Sequence, residues 1–498
     1  MYVSTRANYQ KVTAAQAIAM GMVPEGGLFV PETIPTLSLA ELKPQMGKSY
    51  TEWACWILEK FLDDYTPEEI SYCISQAYSP ENFDHPDIAP LVELDPRTYI
   101  MELWHGPTAA FKDMALQLTP YLLTTAIKKL SIEKKVVILV ATSGDTGKAA
   151  LEGFKDVPGT EIIVFYPAHG VSEVQKLQMV TTTGQNTHVV AVEGNFDDCQ
   201  SALKEIFADK ELGAELEAKG YQFSSANSIN WGRLLPQIVY YFASYSDLVR
   251  DGRIAFGDVI NFVVPTGNFG NILAGWYAKA MGLPIGKLIC ASNENKVLTD
   301  FFQTGRYDRK REFKQTNSPS MDILISSNLE RFLYAMTGND GAKVTQWMQE
   351  LQNVGEFQVD AQTKAAIDAC VCGGFANEKE TLATIKGCYE QCGYLLDTHT
   401  AVALKVYHDY QKASQDDQVV VIDSTANPYK FVSSVYQAVN PAPTEKAADD
   451  IKLLAQLQSL SNMPVHRGLL DLDKKEVRHK TCCARTDIKT QIEAILNL

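Results

Sequence analysis

No run of about 18 apolar residues, the length a membrane-spanning helix needs, occurs in the chain. The opening MYVSTRANYQKVTAAQ has no apolar stretch of the kind a secretory signal carries, so a cytoplasmic location is expected. Positive charge is also in deficit: 45 Lys and Arg stand against 60 Asp and Glu, a net charge of −15. That argues against non-specific nucleic-acid binding, while a locally positive site for small anions stays open. None of the 10 cysteines sits at zinc spacing from a histidine. They read as reduced thiols, and no metal site is expected. Internal repeats and long low-complexity segments are missing too.

What remains is a globular composition, 46% hydrophobic and 21% charged, over 498 residues. That length exceeds one core, so about two to four domains are expected. The N-terminal part has a Gly/Pro-punctuated entry, PEGGLFVPETIP, two helical patterns, SYTEWACWILEKFLDDY and PEEISYCISQAY, and the extended run APLVELDPRTYIMELWHG. From about Glu133 strand and helix alternate. KVVILVAT, TEIIVFYP and THVVAVEG are β-branched runs, separated by helical GKAALEGF and SEVQKLQMVTTTG and followed by FDDCQSALKEIFAD. Such runs imply a parallel sheet covered on both faces. A second α/β block starts near DVINFVVPTGNFGNILAGWYAKAMG, continues with LICASN and ends with VVVIDST. Within it, QTGRYDRKREFKQTNSPSMD reads as an exposed insertion or mobile loop. The tail from about Asn440, including EKAADDIKLLAQLQSL, reads as helical and packed on the outside.

Open parallel sheets collect ligands at the carboxyl ends of their strands, and three strand ends carry unusual residues. After KVVILVAT, Ser143-Gly144-Asp145-Thr146-Gly147 turns into a helix. Its N–H groups and hydroxyls suit an anion or carboxylate, although a plain capped turn reads the same way. A P-loop does not match: Thr142 stands where its first glycine belongs, and Ala149 where its magnesium-binding hydroxyl belongs. After Pro265, Gly267-Asn268-Phe269-Gly270-Asn271 opens another helix. Glycines allow close approach and several N–H groups point into one cup, which suits a single phosphate. The glycine spacing is not the dinucleotide pattern, and a helix start without ligand is the alternative. The third strand ends in Asp423-Ser424-Thr425, where a hydroxyl can meet a ring nitrogen or simply end a strand.

Two further segments are polar where helices begin. SSANSINWGRLLPQIVYYF places Asn227, Ser228, Asn230 and Arg233 in or beside the first turns of an apolar helix. They can grip a carboxylate or phosphate, Arg233 bidentately, or merely cap the helix. DTHTAVAL holds Asp397, His399 and Thr400, and His399 alone reads as a packed core residue. Finally, HGPTAAFKDMALQ has a turn, Gly106-Pro107-Thr108, and then an apolar helix start carrying one lysine, Lys112. In isolation Lys112 reads as a lysine reaching out of the core. In apolar surroundings its pKa would fall and it could act as a nucleophile. A phosphate cup, a hydroxyl for a ring nitrogen and carboxylate-binding turns favour the second reading, and the set describes a pyridoxal-phosphate enzyme.

With YVSTR, PEGGLFVPE, LWHGPTAAFKDMALQ, ATSGDTGKAA, NSINWGRLLPQ, PTGNFGNILAG and STANPYKF in this order, the chain resembles the threonine synthases over nearly its full length. These belong to the β-family, or fold type II, of pyridoxal-phosphate enzymes. The resemblance implies an α/β fold: two open, mostly parallel α/β domains plus an N-terminal mixed domain. The corresponding division is an N-terminal domain 1–98, a large cofactor-binding domain 99–135 with 245–440, a smaller mobile domain 136–244, and a C-terminal helical extension 441–498. It implies Lys112 as the Schiff-base lysine, Gly267, Asn268, Phe269, Gly270 and Asn271 around the cofactor phosphate, and Thr425 at the pyridine nitrogen. Asp145 falls near the cofactor's 3′-oxygen, where related enzymes often have asparagine. Ser143, Thr146, Asn227, Ser228, Asn230 and Arg233 would hold the substrate's carboxylate and phosphate. The implied activity is that of a carbon–oxygen lyase acting on phosphate: O-phospho-L-homoserine and water give L-threonine and phosphate, the last step of threonine biosynthesis. Another β-family lyase, such as a serine/threonine dehydratase, is the alternative. The expected partner is this small substrate, with no nucleic acid or membrane, and the chain a monomer or homodimer. Thr398 departs from the family's pattern, which has proline before the histidine.

Overall fold

The computed structural model describes residues 1–142, 144–169, 171–440 and 449–498. In chain order its strands are β1 Tyr2–Ser4, β2 Phe29–Pro31, β3 Leu91–Asp95, β4 Thr98–Glu102, β5 Lys135–Ala141, β6 Thr160–Pro167, β7 Thr187–Glu193 and β8 Tyr221–Ser224. There follow β9 Ile260–Pro265, β10 Ile285–Ser292, β11 Arg306–Asp308, β12 Glu356–Gln358, β13 Val371–Phe375, β14 Val420–Ser424 and β15 Cys482–Ala484. One sheet has the order β13-β10-β9-β14-β4-β3, all neighbours parallel except β3 with β4. A second sheet, β15-β7-β6-β5-β8, is parallel throughout. Strands β4, β9 and β14 are buried along their whole length. Helices cover both faces, which is why INFVVP and VVIDS show no in–out alternation. The chain therefore has the fold type II architecture, α/β with two open, mostly parallel sheets.

The N-terminal helices are set by local signals. Ser49 with Glu52 and Thr66 with Glu69 form capping boxes at Tyr50–Leu58 and Pro67–Ala77. Trp53 packs its ring 5.6 Å from Phe242 of the helix Pro236–Arg250, joining this part to the main body.

Two segments differ from expectation. The stretch 303–322 is exposed in its middle, from Glu312 to Gln315, as expected, but its ends are built into the fold: β11 pairs with β12, and Ser318 and Met321 are buried. Asp322 gathers Asn293, Asn295 and the Thr316 hydroxyl at 2.7, 2.9 and 2.8 Å, so its polar side chains satisfy one another. The C-terminal region has the expected helix, Asp450–Ser461. It also contributes a strand: β15 runs parallel to β7 with Cys482 opposite Ala191, and the helix Ile488–Leu496 buries Ile488, Ile492 and Leu496 behind it. Three residues are too few to show a strand's periodicity. Among the described residues no helix is long and apolar enough to cross a membrane. None of the cysteines there is disulfide-bonded.

Candidate active site

Strands β4 and β14 lie side by side with Glu102 opposite Ser424, so the segments leaving them run together. Leu103 N donates to Ser424 O at 3.0 Å, Phe111 N to Thr425 O at 2.8 Å, and Asn427 N to Ala109 O at 3.0 Å. Inside the turn, Asp113 accepts from the backbone N and the hydroxyl of Thr108, both at 2.8 Å. A Cβ on Gly106 would lie 2.4 Å from that of Asp113, so only glycine fits. Burial raises the Asp113 carboxyl to about 6 against these hydrogen bonds. His105 anchors the turn's start. Its Nδ1 lies 2.7 Å from Asp84 and its Nε2 2.8 Å from Glu102, which leaves no ring nitrogen for a ligand.

Lys112 begins the helix Lys112–Leu116. Its side chain is 10% exposed, and its Nζ is 3.7 Å from Asp145 Oδ2. Burial brings its amine down to about 8; Asp145 opposes this, and Lys430 and Arg233 add to it. Asp145 begins the helix Asp145–Phe154, beyond the end of β5. It is held by Lys430 Nζ at 2.9 Å, Gln175 Nε2 at 2.8 Å and the Ser320 hydroxyl at 3.2 Å. Burial would raise its carboxyl, but Lys430 and Lys112 hold it well below the usual carboxylate range. Lys430 is fully buried and also donates to Thr108 O at 2.9 Å, closing the ring back to the lysine turn. Gly144, at φ 146°, lets Gln175 approach: a Cβ there would lie 2.6 Å from the Gln175 amide. Ser143 lies outside the described residues.

The end of β9 leads into the second part. Phe269 takes the left-handed conformation, φ 63°, and the helix Gly270–Ala280 follows. The backbone N–H groups of Gly267, Asn268, Phe269, Gly270 and Asn271 have no acceptor among the described residues. Five free donors at one helix start match what a phosphate monoester needs. A Cβ on Gly267 would come 2.7 Å from Ser320 O, so a close wall faces the cup. The Asn271 side chain points below it, its Oδ1 2.5 Å and 2.8 Å from the hydroxyls of Tyr240 and Tyr241. Thr425 is buried, and its hydroxyl takes no partner among the described residues. It is therefore free to meet a ring nitrogen.

The remaining expected residues divide. Arg233 is buried, donates to Ala226 O at 2.8 Å, and has no carboxylate partner among the described residues. Burial lowers its guanidinium to about 10. Gln237 Nε2 holds Arg233 O at 2.9 Å and flanks Gly270, tying the arginine to the cup. Ser228 is joined to the cup through Asn328, which donates to both Ser228 O and Asn268 O. Thr146 is half-buried and Asn227 exposed. Asn230 is a helix cap: both amide protons go to Ile18 O and Ser225 O at 3.1 Å, and its oxygen accepts from Gly232 N at 2.8 Å. Nothing on it is left for a substrate. His399 accepts from Ser320 N at 3.1 Å and so steadies the wall of the site. Thr398 is the first residue of the helix Thr398–Ser414, a position where proline is equally at home, which removes the significance of that departure. Lys430, Gln175 and Ser320 were not picked out by sequence reasoning. Only Lys430 had a signal, its place in STANPYKF.

Three family models match the chain. "Threonine synthase N terminus" matches residues 1–78, "Pyridoxal-phosphate dependent enzyme" residues 85–425, and "Threonine synthase, C-terminal" residues 400–480. The fold and the model matched over residues 85–425 define a pyridoxal-phosphate-dependent enzyme of the lyase class. Within that class the chain belongs to the threonine synthase family. It is 37% identical to threonine synthase of Pseudomonas aeruginosa, over 89% of this chain and 91% of that one. It is 41% identical to human threonine synthase-like 1, covering 98% of this chain and 67% of that longer protein. The crystal structure of PLP-bound threonine synthase from Brucella melitensis superposes with a TM-score of 0.87 at 35% identity, over 99% of this chain and 98% of that one.

Proposed function

We propose that the chain converts O-phospho-L-homoserine and water to L-threonine and phosphate. The observation that carries this reading is Arg233, a buried guanidinium without a carboxylate partner among the described residues, close enough to Lys112 to lower its amine. A buried cation without a counter-ion is costly, and a phosphate ester bound bidentately would supply one. A serine/threonine dehydratase has no need of such a group.

Bound at the cup, the cofactor supplies an electron sink for negative charge developing at the substrate's Cα. Lys112, its amine lowered by burial, would take protons from the substrate's Cα and Cβ and return protons at Cγ, from which phosphate leaves, and at Cα, while the hydroxyl of water adds at Cβ. Asp145, kept ionised by Lys430, steadies Lys112 whenever that amine carries a proton. The N–H groups of Gly267 to Asn271 hold the cofactor phosphate, and the neutral Thr425 hydroxyl leaves the ring nitrogen unprotonated. Thr146, Asn227 and Ser228 are assigned to the substrate carboxylate together with Ser143, and Arg233 to its phosphate. In this scheme residues 136–244 form the mobile domain, bringing Asp145 and Thr146 to a fixed Lys112.

Phosphate release from O-phospho-L-homoserine, with L-threonine identified as co-product, tests the reading. Arg233→Ala should lower kcat/KM by about 30-fold or more, since it leaves a buried anion unpaired. Formation of 2-oxobutyrate in place of threonine, or an unchanged kcat/KM in the variant, would sink it.

A further inference from the structure

The motifs YVSTR and PEGGLFVPE take no part in the chemistry above, yet two neighbours, Glu330 bound to the first and Arg331 bound to the second, join them to the phosphate cup. Arg331 is 1% exposed. Its neighbour Glu330 is engaged elsewhere, accepting from the Thr5 hydroxyl at 2.6 Å and from two guanidinium nitrogens of Arg6 at 2.9 and 2.8 Å. Arg331 instead donates to three oxygens of three different segments. Its Nε reaches Phe29 O at 2.9 Å, and its two terminal nitrogens reach Ile229 O at 2.6 Å and Asn328 Oδ1 at 2.7 Å.

The bond to Asn328 matters most. With its side-chain oxygen held by a cation, the Asn328 amide cannot turn over, so its NH2 must face the other way. That NH2 donates to Asn268 O at 3.2 Å and Ser228 O at 3.1 Å, and Asn328 N adds a second bond to Asn268 O at 3.1 Å. A peptide unit is planar with C=O and N–H on opposite sides. Pulling the Asn268 carbonyl toward Asn328 therefore turns the Phe269 N–H toward the cup. Phe269 is the one non-glycine residue of this turn in the left-handed region, a conformation that costs energy and needs outside support.

We propose that Arg331 is a positioning residue that sets the phosphate cup through Asn328, and that the N-terminal motifs serve to hold it there. This rests on the reading of Gly267 to Asn271 as the cofactor's phosphate site. The test separates the phosphate from the rest of the cofactor. The full-length chain is titrated with pyridoxal 5′-phosphate and, separately, with pyridoxal, and the fraction of Lys112 carrying a borohydride-fixed pyridoxyl group is read by mass spectrometry. Arg331→Lys should weaken binding of the phosphorylated form by about tenfold or more and leave pyridoxal binding essentially as in the parent. Asn328→Ala should show the same selective loss, and the double variant should be little worse than either alone. Equal losses for both ligands in Arg331→Lys, or no loss for either, would overturn the proposal. If Arg331→Lys does not fold, Asn328→Ala decides by the same criterion. Gly267→Ala, which crowds Ser320 O, checks the underlying reading. If it keeps the parent's preference for the phosphorylated form, the cup assignment falls. If it abolishes the preference while Arg331→Lys retains it, only the role of Arg331 falls.

Discussion

Lys112 and Lys430 are both buried at one carboxylate, yet their settings differ. Lys430 has two fixed acceptors, Asp145 and Thr108 O, and is a structural cation. Lys112 has Asp145 alone, at 3.7 Å, and its amine falls to about 8, chiefly through burial. Lys430 adds to that lowering, so removing it should raise Lys112. Capture of pyridoxal 5′-phosphate needs the neutral amine and speeds up as pH rises through the pKa of Lys112. In Lys430→Met this rise should move to higher pH, slowing capture at neutral pH by roughly tenfold per unit of displacement and recovering it in alkaline buffer. The capture rate as a function of pH checks this; an unshifted profile would show that Lys430 does not act on Lys112. At this scale the sequence was partly legible. Lys112 stood out because one amine lay in an apolar helix start, and the cup because two glycines lay between a strand end and a helix. Gln175 and Ser320 were invisible because each comes from a different element, and no local pattern tells that the two meet at Asp145. Asn230 misled because a capping amide and a ligand-binding amide look alike until their partners are seen.

The helices Lys112–Leu116 and Asp145–Phe154 carry the two ends of the Lys112–Asp145 pair, and a glycine lets them touch. A Cβ on Gly153 would lie 2.0 Å from Leu116 O, so Gly153→Ala must push the helices apart. Overpacking of this kind costs about 1–3 kcal/mol. Thermal unfolding should show the loss and kcat should fall with it, because the displaced helix begins with Asp145. A variant with parental Tm and kcat would mean that this contact yields without moving the site. Elements of this kind were readable where β-branched runs alternated with amphipathic segments, as in β5, β6, β7 and β9. The stretch 303–322 was readable in part: its charged middle, Glu312 to Gln315, is exposed as its composition suggests, whereas Asp322 at its end is held in a polar network with Asn293, Asn295 and Thr316.

On the scale of the molecule, both sheets are completed by late residues. β15 covers the edge of β7, and Cys483, Ile488, Ile492 and Leu496 are buried there. Removing residues 481–498 would bare a parallel edge strand and its apolar backing. The shortened chain should unfold at lower temperature and scatter light on standing, while at low temperature Lys112 still takes the pyridoxyl group. Unchanged solubility and Tm would show that β15 is dispensable to the sheet.

The register of β4 against β14 reaches further than the finished fold. The turn that buries Lys112 is stitched to residues 424–430, more than 300 positions downstream. Throughout most of synthesis on the ribosome its strand partner does not yet exist, so the contacts of this turn are incomplete. The burial that lowers the Lys112 amine is complete only once residues 424–430 are in place. On the proposed role of Lys112, attachment of the cofactor should therefore wait for β14, and a nascent chain stalled before that strand should not take up the pyridoxyl group at Lys112.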